Sequence, residues 1–411
     1  MNSSSPPEPQ ISLLTAGKDR PYALGLAAAL VAAGGSLDFI GSDEVNALEL
    51  PRTPLLHFYN LRGGQSIRAS LPQKLARIFI YYVRLITYAA TARSQVFHIL
   101  WNNKFEWFDR VVLMPYYRLL GKKMILTAHN VNIGERDGHD SFLNRLTLRI
   151  QYRLCHHIFV HNRKMQQDLC VGFGIPEAKT SVIPLGVNHT VPNTGLTRTT
   201  AQSRLGIAAG EKVILFFGQI AAYKGLEILL AAFAELSRQD QACRLIIVGR
   251  PKGGKDYCHH ITQAIAHSSA HHRMILRIEF VPDADTELYF KAADVLVLPY
   301  TSIFQSGVLC LAYSFGLPVI AADVGSLKEE IIEGKTGFVF PARDVSALVA
   351  TLKTYFKSDL YHRPEHYREE IRKYANEKYS WAGIAATTMA VYASFAAAQP
   401  GRHPLAATVK S

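Results

Sequence analysis

The sequence predicts an α/β protein with two parallel sheets, and three observations support this. Short apolar runs alternate with helical patterns along the 411-residue chain, and the runs are apolar throughout, as in sheets covered on both faces. The alternation stops at a polar, threonine-rich stretch, residues 189–203, and then restarts. The chain is also too long for one ordinary core. We therefore expect two Rossmann-like domains.

The N-terminal domain is expected to span residues 1–190. Its strands are predicted at Ile11–Ala16, Leu37–Ile40, Leu55–Tyr59, Val96–Trp101, Lys123–Ala128 and His157–Val160. Its main helices are predicted at Tyr22–Ala33, Lys74–Ala92 and Phe105–Leu120.

The second domain is expected to span residues 191–375. Its strands are predicted at Val213–Phe217, Leu245–Val248, Arg277–Phe280, Val295–Pro299 and Val319–Ala322, with helices at Leu226–Ser237 and Thr286–Ala293. Residues 376–411 are expected to form a helix around Trp381 that crosses back to the first domain, followed by a tail. Ligands of a doubly wound sheet bind beyond the carboxyl ends of its strands, so we expect the site there.

The charge of the chain is unevenly distributed. The net charge is +12, and residues 1–195 account for +8 of it. A basic half suits an anionic partner such as a membrane surface, a phosphorylated lipid or nucleic acid. Because no RNA- or DNA-binding motif accompanies the charge, nucleic acid is not expected.

The cysteines and the first residues indicate where the protein resides. Five scattered cysteines without a C-x-x-C pair are typical of reduced thiols in the cytosol. The first residues, MNSSSPPEPQISLL, lack the positive segment of a secretory signal, and no uncharged run approaches the roughly 18 residues needed to span a bilayer. We expect a cytoplasmic protein.

Two turns between Val295 and Gly337 are suited to binding an anion. The strand VLVLPY ends in the polar turn 301–307, and Gly325 opens a second turn after the strand PVIAAD. Turns that lead from a strand into a helix present backbone N–H groups with no partner inside the helix. The pair suggests a ligand that contains phosphate.

A third turn contains a lysine in an unusual place. A strand runs into Gly218, and six residues later Lys224-Gly225 opens a helix. A cation at a helix N-terminus is unfavourable unless an anion shares the site, because that end is already positive. Lys224 is therefore either part of a diphosphate clamp or a solvated surface lysine.

The order of several motifs resembles a known family. The motifs are G-x-I-x-x-Y-K-G-L-E, L-I-I-V-G, A-D-V-L-V-L-P-Y, Q-S-G-V and G-L-P-V-I-A-A-D-V-G-S-L-K-E-E-I-x-x-G-x-T-G-F-V. Over about residues 120–395 the chain resembles the retaining GT-B glycosyltransferases of family four (glycosyl transferases group 1). The resemblance implies two domains facing across a cleft and transfer of a sugar from a nucleotide-diphosphate sugar to a glycan or lipid-linked acceptor. The resemblance also implies a role in bacterial polysaccharide or glycolipid biosynthesis at the inner face of the membrane.

The resemblance also implies roles for individual residues. Lys224 would contact the diphosphate, and the turn from Asp323 to Glu329 would line the donor pocket. The implied donor-binding set is Gly218, Gln219, Lys224, Arg250, Gln305, Ser306, Gly307, Val308 and Glu329. No cofactor and no metal ion are expected, because the nucleotide-diphosphate sugar is the donor substrate. Asp283-x-Asp285, which could hold a divalent ion on a diphosphate, is expected to cap a helix instead.

Two departures from the family pattern concern the donor site. The paired glutamates of many members would fall at Ile303 and Leu311, and this chain has Gln305-Ser306-Gly307 instead, as in a Q-S-G subgroup. The arginine usually found between Gly218 and Lys224 is missing. Either Arg250 takes its place or the clamp is weaker.

The first domain would supply a catalytic histidine and the acceptor site. His129, in Thr127-Ala128-His129-Asn130, matches the family histidine near the transferred sugar, so His129 and Lys224 are the predicted catalytic residues. His161-Asn162, which closes another strand, is expected to be structural. The acceptor candidates are Lys18, Asn130 and Glu135, and Asn132, Arg136 and Asp137 share the loop of Glu135. The alternative for Lys18 and for this loop is a solvated charged surface.

The basic, apolar segment Lys74–Arg93 has two interpretations. It is either a helix lying on an anionic membrane or an outer-layer helix packed on the first sheet.

Two other functions remain open at this point. A chain without the paired glutamates could be a partner subunit that binds a nucleotide sugar but does not catalyse a reaction. The same two-domain frame also serves nucleotide-sugar epimerases, which need catalytic carboxylates in the cleft. For the main hypothesis, retention without a carboxylate nucleophile suggests front-side attack, with the departing phosphate taking the acceptor's proton.

Overall fold

The structure, a computed structural model, describes residues 10–45, 49–64, 70–136, 140–187, 191–252 and 254–397. Asp137, the predicted domain boundary at residue 190 and the tail after residue 397 lie outside the described residues. The remaining predicted site residues lie within them.

The described strands form two sheets. The strands are β1 (Gln10–Leu14), β2 (Ser36–Gly41), β3 (Leu56–Asn60), β4 (Val96–Ile99), β5 (Lys123–Thr127), β6 (His157–Val160), β7 (Thr180–Val182), β8 (Lys212–Phe217), β9 (Cys243–Val248), β10 (Met274–Arg277), β11 (Val295–Leu298), β12 (Val319–Ala322) and β13 (Gly337–Phe340). One sheet has the order β3-β2-β1-β4-β5-β6-β7, and the other has the order β10-β9-β8-β11-β12-β13. The pairs on both sides of β1 and of β8 are parallel.

The helices alternate with these strands. They are α1 (Arg20–Ala32), α2 (Leu71–Thr91), α3 (Glu106–Phe108), α4 (Met114–Leu119), α5 (Ile133–Arg136), α6 (Phe142–Leu154), α7 (Arg163–Phe173), α8 (Arg198–Arg204), α9 (Leu226–Gln239), α10 (Lys255–Ala266), α11 (Asp283–Ala292), α12 (Gly307–Ser314), α13 (Leu327–Glu330), α14 (Val345–Lys357), α15 (Asp359–His362), α16 (Pro364–Lys378) and α17 (Trp381–Ala397). Within the described ranges, no helix is long and apolar enough to cross a membrane.

The predicted α/β fold with two Rossmann-like parallel sheets is confirmed. The central strands are continuous apolar runs, and every residue of β11 and β12 is buried, as expected for strands covered on both faces. In the six-stranded sheet the core is continuous from β8 to the helices α9 and α14. The continuous apolar pattern therefore predicted both the strands and their burial.

Edge strands and helix ends account for the errors. The strand predicted at Arg277–Phe280 is wrong, because β10 ends at Arg277 and the apolar residues Ile278 and Phe280 are exposed beyond it. The edge strands β7 and β13 were not predicted. The helix predicted at Phe105–Leu120 is divided by a π-helical stretch, Asp109–Leu113, and the final helical pattern is divided between α16 and α17.

The chain divides into two compact units. The first comprises residues 1–127, 150–158 and 382–411, and the second comprises residues 128–149 and 159–381. In the first unit, the buried ring of His98 lies 2.6 Å from the Tyr392 hydroxyl of α17 and 2.7 Å from the Thr127 hydroxyl. In the second, Trp381 Nε1 donates to the Val187 carbonyl at 2.8 Å. The predicted domain limits stay a prediction.

Candidate functional site

Two loops of the second unit meet at the carboxyl edge of its sheet. Strands β8 and β11 are parallel neighbours, so the loops that follow them leave the sheet at the same edge. The N–H of Thr301, after β11, donates to the carbonyl of Tyr223, after β8, at 2.9 Å. The anion-suited turns predicted after these two strands therefore lie against each other.

Glycines allow these loops to pack backbone against backbone. Gly225 has φ 63°, and a Cβ there would lie 2.0 Å from the Pro299 carbonyl oxygen. A Cβ on Gly249, after β9, would lie 1.6 Å from the Gly218 carbonyl oxygen. Since backbone atoms cannot move aside as a flexible side chain can, only glycine fits at either position.

Lys224 is buried between these loops. It ends a short 3₁₀ turn, Ala222–Lys224, and only 7% of the residue is exposed. Its Nζ lies 3.8 Å from the ring centroid of Tyr300 and 5.4 Å from that of Tyr223. The aromatic face of Tyr300, itself fully buried, holds the ammonium at the sheet edge.

The start of α12 adjoins the loop that contains Lys224. Ser306 caps the helix, because its Oγ accepts the N–H of Leu309 at 3.4 Å. The Tyr300 hydroxyl lies 3.4 Å from the same Oγ. A Cβ on Gly218 would lie 3.4 Å from Val308 Cγ2, so the first turn of α12 packs on the loop after β8. A buried cation and a helix N-terminus thus occupy neighbouring positions.

Hydrogen bonds to three other segments hold the turn between β11 and α12. The Phe304 carbonyl accepts from Asn162 Nδ2 and from Ser326 Oγ, both at 3.1 Å. Gln305 Nε2 donates to the His129 carbonyl at 3.3 Å. Gln305 Oε1 is buried and has no hydrogen-bond partner among the described residues. A buried acceptor in this state costs free energy that a ligand hydroxyl would recover.

His129 and His161 form a pair of buried, hydrogen-bonded imidazoles. Nδ1 of His129 lies 2.9 Å from Nε2 of His161, whose own Nδ1 lies 3.0 Å from the Ile183 carbonyl oxygen. Because a carbonyl only accepts, Nδ1 of His161 carries the proton. Burial lowers the pKa of His161 to about 4, so the ring is neutral at pH 7 and its Nε2 accepts from His129 Nδ1. A neutral His129 then has its lone pair on Nε2.

Part of the predicted acceptor loop lines a cavity of about 700 Å³ in the second unit. Asn132 and Glu135 lie on one side of it, and the turn 301–304 and Gly325 lie on the other. Glu135 Oε2 lies 3.4 Å from Asn132 Nδ2 and 3.7 Å from an Arg145 nitrogen. Lys224 and Ser306 are not among the described residues that line this cavity.

The other predicted residues are more dispersed. Arg250 is exposed, and its guanidinium lies 5.7 Å from the ring centroid of Phe280. Glu329 is exposed on α13, and Gln219 and Asn130 are half-buried. Lys18 belongs to the first unit, where burial lowers its pKa. The described contacts bring none of these side chains to Lys224.

The pair Asp283 and Asp285 lies in the first turn of α11, but neither residue caps it. The N-cap residue is Pro282, and no side-chain hydrogen bond caps this helix. The two carboxylates are favourable there through the helix dipole.

Three contributors to the site were not predicted from the sequence: Tyr300, Asn162 and His161. The sequence pattern places Tyr300 at the end of a strand and predicts a structural role for His161-Asn162. The available signal was position, since His161 follows its strand just as His129 follows β5. Both residues stand at the carboxyl ends of strands, where ligands bind.

Two family profiles match the chain. The profile described as glycosyl transferases group 1 matches residues 197–378. The profile described as glycosyltransferase family 4 matches residues 21–191. The two matches follow each other along the chain and leave only residues 192–196 between them.

Two curated relatives are also named as glycosyltransferases. An uncharacterized glycosyltransferase of Methanocaldococcus jannaschii is 26% identical over 386 residues, covering 90% of this chain and 92% of that protein. The D-inositol 3-phosphate glycosyltransferase of Nocardia farcinica is 33% identical over 172 residues, but this match covers 41% of this chain and only 37% of that protein.

Solved structures share the fold. Sucrose-phosphate synthase from Thermosynechococcus elongatus matches with a TM-score of 0.74 at 19% identity, over 95% of this chain and all of that one. HepE of Anabaena, in complex with UDP and glucose, matches with a TM-score of 0.72 at 17% identity, over 94% of this chain and all of that one.

The protein is a glycosyltransferase of the GT-B fold. It belongs to the group 1 and family 4 glycosyltransferases, which confirms the resemblance in its motifs.

Proposed function

We propose that this glycosyltransferase moves a hexosyl group from a nucleotide-diphosphate sugar to a glycan or lipid-linked acceptor, with retention of anomeric configuration. The observation that carries the proposal is the buried ammonium of Lys224, held on Tyr300 beside the first turn of α12. A fixed cation next to a helix N-terminus suits the diphosphate of a donor. Because the GT-B protein HepE has been solved with UDP, a uridine nucleotide is the first donor to test.

The chemistry requires a stabilised leaving group. The bond between the sugar C1 and the β-phosphate oxygen breaks, and that oxygen leaves with the electron pair. Lys224 and the N–H groups at the start of α12 stabilise the charge that develops on it. The acceptor hydroxyl attacks the same face of the sugar, and its proton passes to the departing phosphate oxygen. This front-side route needs no carboxylate at Ile303 or Leu311.

His129 and Gln305 would orient the transferred sugar. His161 fixes the tautomer of His129, so that a neutral His129 offers Nε2 as an acceptor for a sugar hydroxyl. The buried Gln305 Oε1 accepts a second hydroxyl. Its orientation is fixed, because its Nε2 donates to the His129 carbonyl. Both contacts therefore come from one connected group of residues in the second unit.

Titration calorimetry with UDP tests the clamp. We expect Lys224→Ala to weaken UDP binding by about tenfold or more, since hydrogen bonds to charged groups contribute roughly 1.5–3 kcal/mol. The matched control is Lys212→Ala, because Lys212 starts the same strand at its opposite end, where its Nζ pairs with Asp240 at 2.6 Å. The control should bind UDP like the unsubstituted protein. Equal affinity in Lys224→Ala would remove the clamp from the proposal.

Turnover tests the rest of the proposal. Release of UDP from a panel of UDP-sugars identifies a donor, and the coupling constant of the anomeric proton in the product shows whether configuration is retained. Inversion would rule out the front-side route. UDP binding without hydrolysis or transfer of any sugar would favour the nucleotide-sugar-binding partner subunit. We place the reaction in the cytoplasm, within polysaccharide or glycolipid biosynthesis.

A further inference from the structure

The first half of α2 is an exposed amphipathic helix. The second half is anchored in the first unit through five buried residues: Tyr81, Tyr82, Leu85, Tyr88 and Ala89. The residues from 71 to 80, by contrast, are all exposed except the half-buried Ile78. This half therefore extends from the unit as one continuous helix with the packed half.

Four large apolar side chains on α2 form a stripe along the exposed helix. They recur every four residues and are exposed by 71% (Leu71), 54% (Leu75), 70% (Phe79) and 46% (Val83). Residues four apart lie on the same face of a helix, so these four form one continuous apolar stripe. Soluble proteins seldom leave such a patch uncovered without a binding function.

Aromatic residues of the same unit extend the stripe. The Phe105 ring stacks on Tyr82 with centroids 6.1 Å apart, and the Phe105 N–H donates to the Tyr82 hydroxyl at 3.1 Å. Phe105 and the nearby Trp107 are 48% and 55% exposed. Exposed aromatic rings of this kind are typical of surfaces that meet lipid headgroups.

The charge around the stripe is mostly positive. Residues 50–105 contain eight lysines and arginines and no aspartate or glutamate, and the next acidic residue, Glu106, pairs with Arg110. With 3.6 residues per turn, Arg77 and Arg84 fall on the side of α2 opposite the stripe, and Lys74 lies at the edge of the stripe beside Leu71. Arg77 and Arg84 lie within 3.5 Å of the carbonyls of Gly64 and Leu61, which keeps both cations on that side.

The combination identifies the partner. We propose that the first half of α2, with Phe105 and Trp107, docks onto an anionic lipid bilayer. An apolar stripe opposed by basic residues lies in the plane of a membrane, with the stripe among the acyl chains and the cations near the headgroups. A second copy of the chain is a poorer occupant, since it would bring two acid-free basic stretches together. The proposal is independent of the proposed reaction, because it involves no residue of the donor site.

Vesicle sedimentation with the full chain tests the proposal. We expect binding to vesicles of phosphatidylcholine mixed equally with phosphatidylglycerol, weaker binding to phosphatidylcholine alone, and release as the salt concentration rises. The double variant Leu75→Gln/Phe79→Gln should reduce binding at least tenfold. Glutamine keeps the helix, so the circular dichroism spectrum and the melting temperature should stay unchanged.

The matched control is Leu119→Gln/Leu120→Gln, which also replaces two exposed apolar residues of the first unit. These leucines lie toward the other end of α2, where Lys122 Nζ donates to the Ala92 carbonyl at 2.7 Å. The control should bind vesicles like the unsubstituted chain. Three results would overturn the proposal: no vesicle binding, equal binding to neutral and anionic vesicles, or equal loss in the control. A dimer in light scattering that Leu75→Gln/Phe79→Gln converts to a monomer would identify a second copy as the occupant instead.

Discussion

The two units present opposite kinds of surface for their ligands. In the second unit, the loops after β8, β9 and β11 pack backbone to backbone through Gly225 and Gly249, and the site cation Lys224 is buried. In the first unit, half of α2 extends outward and its cations stay at the surface. A small, rigid diphosphate requires preorganised donors, whereas a bilayer deforms around whatever it meets. We therefore attribute the difference to the ligands proposed for the two units rather than to their shared parallel-sheet architecture.

The largest expected effect concerns the backbone packing of the second unit. Gly225→Ala should destabilise the protein by about 4 kcal/mol, because the new Cβ would meet the Pro299 carbonyl oxygen. The control is Gly206→Ala, since Gly206 has nearly the same φ, 68° against 63°, and nothing within 4 Å of its ideal Cβ position. The control should lose about 1–2 kcal/mol from left-handed strain alone. Urea titrations measure both. Equal losses would show that the close packing of the loops contributes little.

We expect an intermediate effect from the buried histidine of each unit, which makes the free energy of unfolding depend on pH. Burial lowers the pKa of His161 to about 4, and burial, with a smaller effect of His157, lowers that of His98 to about 3. Both groups are neutral in the folded state and take up protons on unfolding at acidic pH. Their contributions are present above the unfolded pKa of about 6.5 and are lost as the pH falls, by about 3 kcal/mol each down to pH 4.

Substitution separates the two contributions. His161→Asn and His98→Asn should each flatten the dependence of the unfolding free energy on pH between 6.5 and 4, measured by urea titration. Below pH 4 the folded His161 is increasingly protonated, so unfolding adds less of a proton to it than to His98, and His98→Asn should flatten the curve more than His161→Asn there. A slope that neither variant changes would mean that these histidines titrate alike in the folded and unfolded states.

The smallest expected effect is on UDP affinity, and it tests whether Arg250 is a second cation of the clamp. Arg250→Ala should weaken UDP binding only a few-fold, since its exposed guanidinium stays largely solvated. Phe280→Ala, which removes the ring beside it, serves as the control for lost positioning and should have a still smaller effect. A loss as large as that in Lys224→Ala would place Arg250 on the diphosphate and would make the site less preorganised than its backbone indicates.

Local patterns predicted much of the fold. The strands β8, β9, β11 and β12 were recognisable as continuous apolar runs, and the turns that follow them began at glycines or polar residues. The edge strand β7 was missed because its residues, Thr-Ser-Val, form no apolar run, whereas β13, Gly-Phe-Val-Phe, is apolar and was recognisable from its sequence. The helical pattern at α2 was clear, but its burial was not. The second half of this helix packs in the first unit and the first half is exposed, so the membrane interpretation stays a prediction for the exposed half.

The partners within the site could not be predicted from the sequence. Asn162 and Phe304 are separated by 142 positions, and His129 and Gln305 by 176. Only the folded sheet brings such residues together. The family resemblance implied that Lys224 and the residues from Gln305 to Val308 serve one donor site. It gave no indication that Tyr300 supports the ammonium or that His161 fixes the tautomer of His129.

The position of Trp381 gives the protein an optical property. A Cβ on Gly186 would lie 2.3 Å from the indole, and Leu185, the residue before it, lies against Gly307 at the start of α12. The chain has three tryptophans, and the other two, Trp101 and Trp107, belong to the first unit. Fluorescence from Trp381 therefore reports on the proposed nucleotide side and that from Trp107 on the proposed lipid side. With Trp101 replaced, one chain carries a separate emitter for each of its two surfaces.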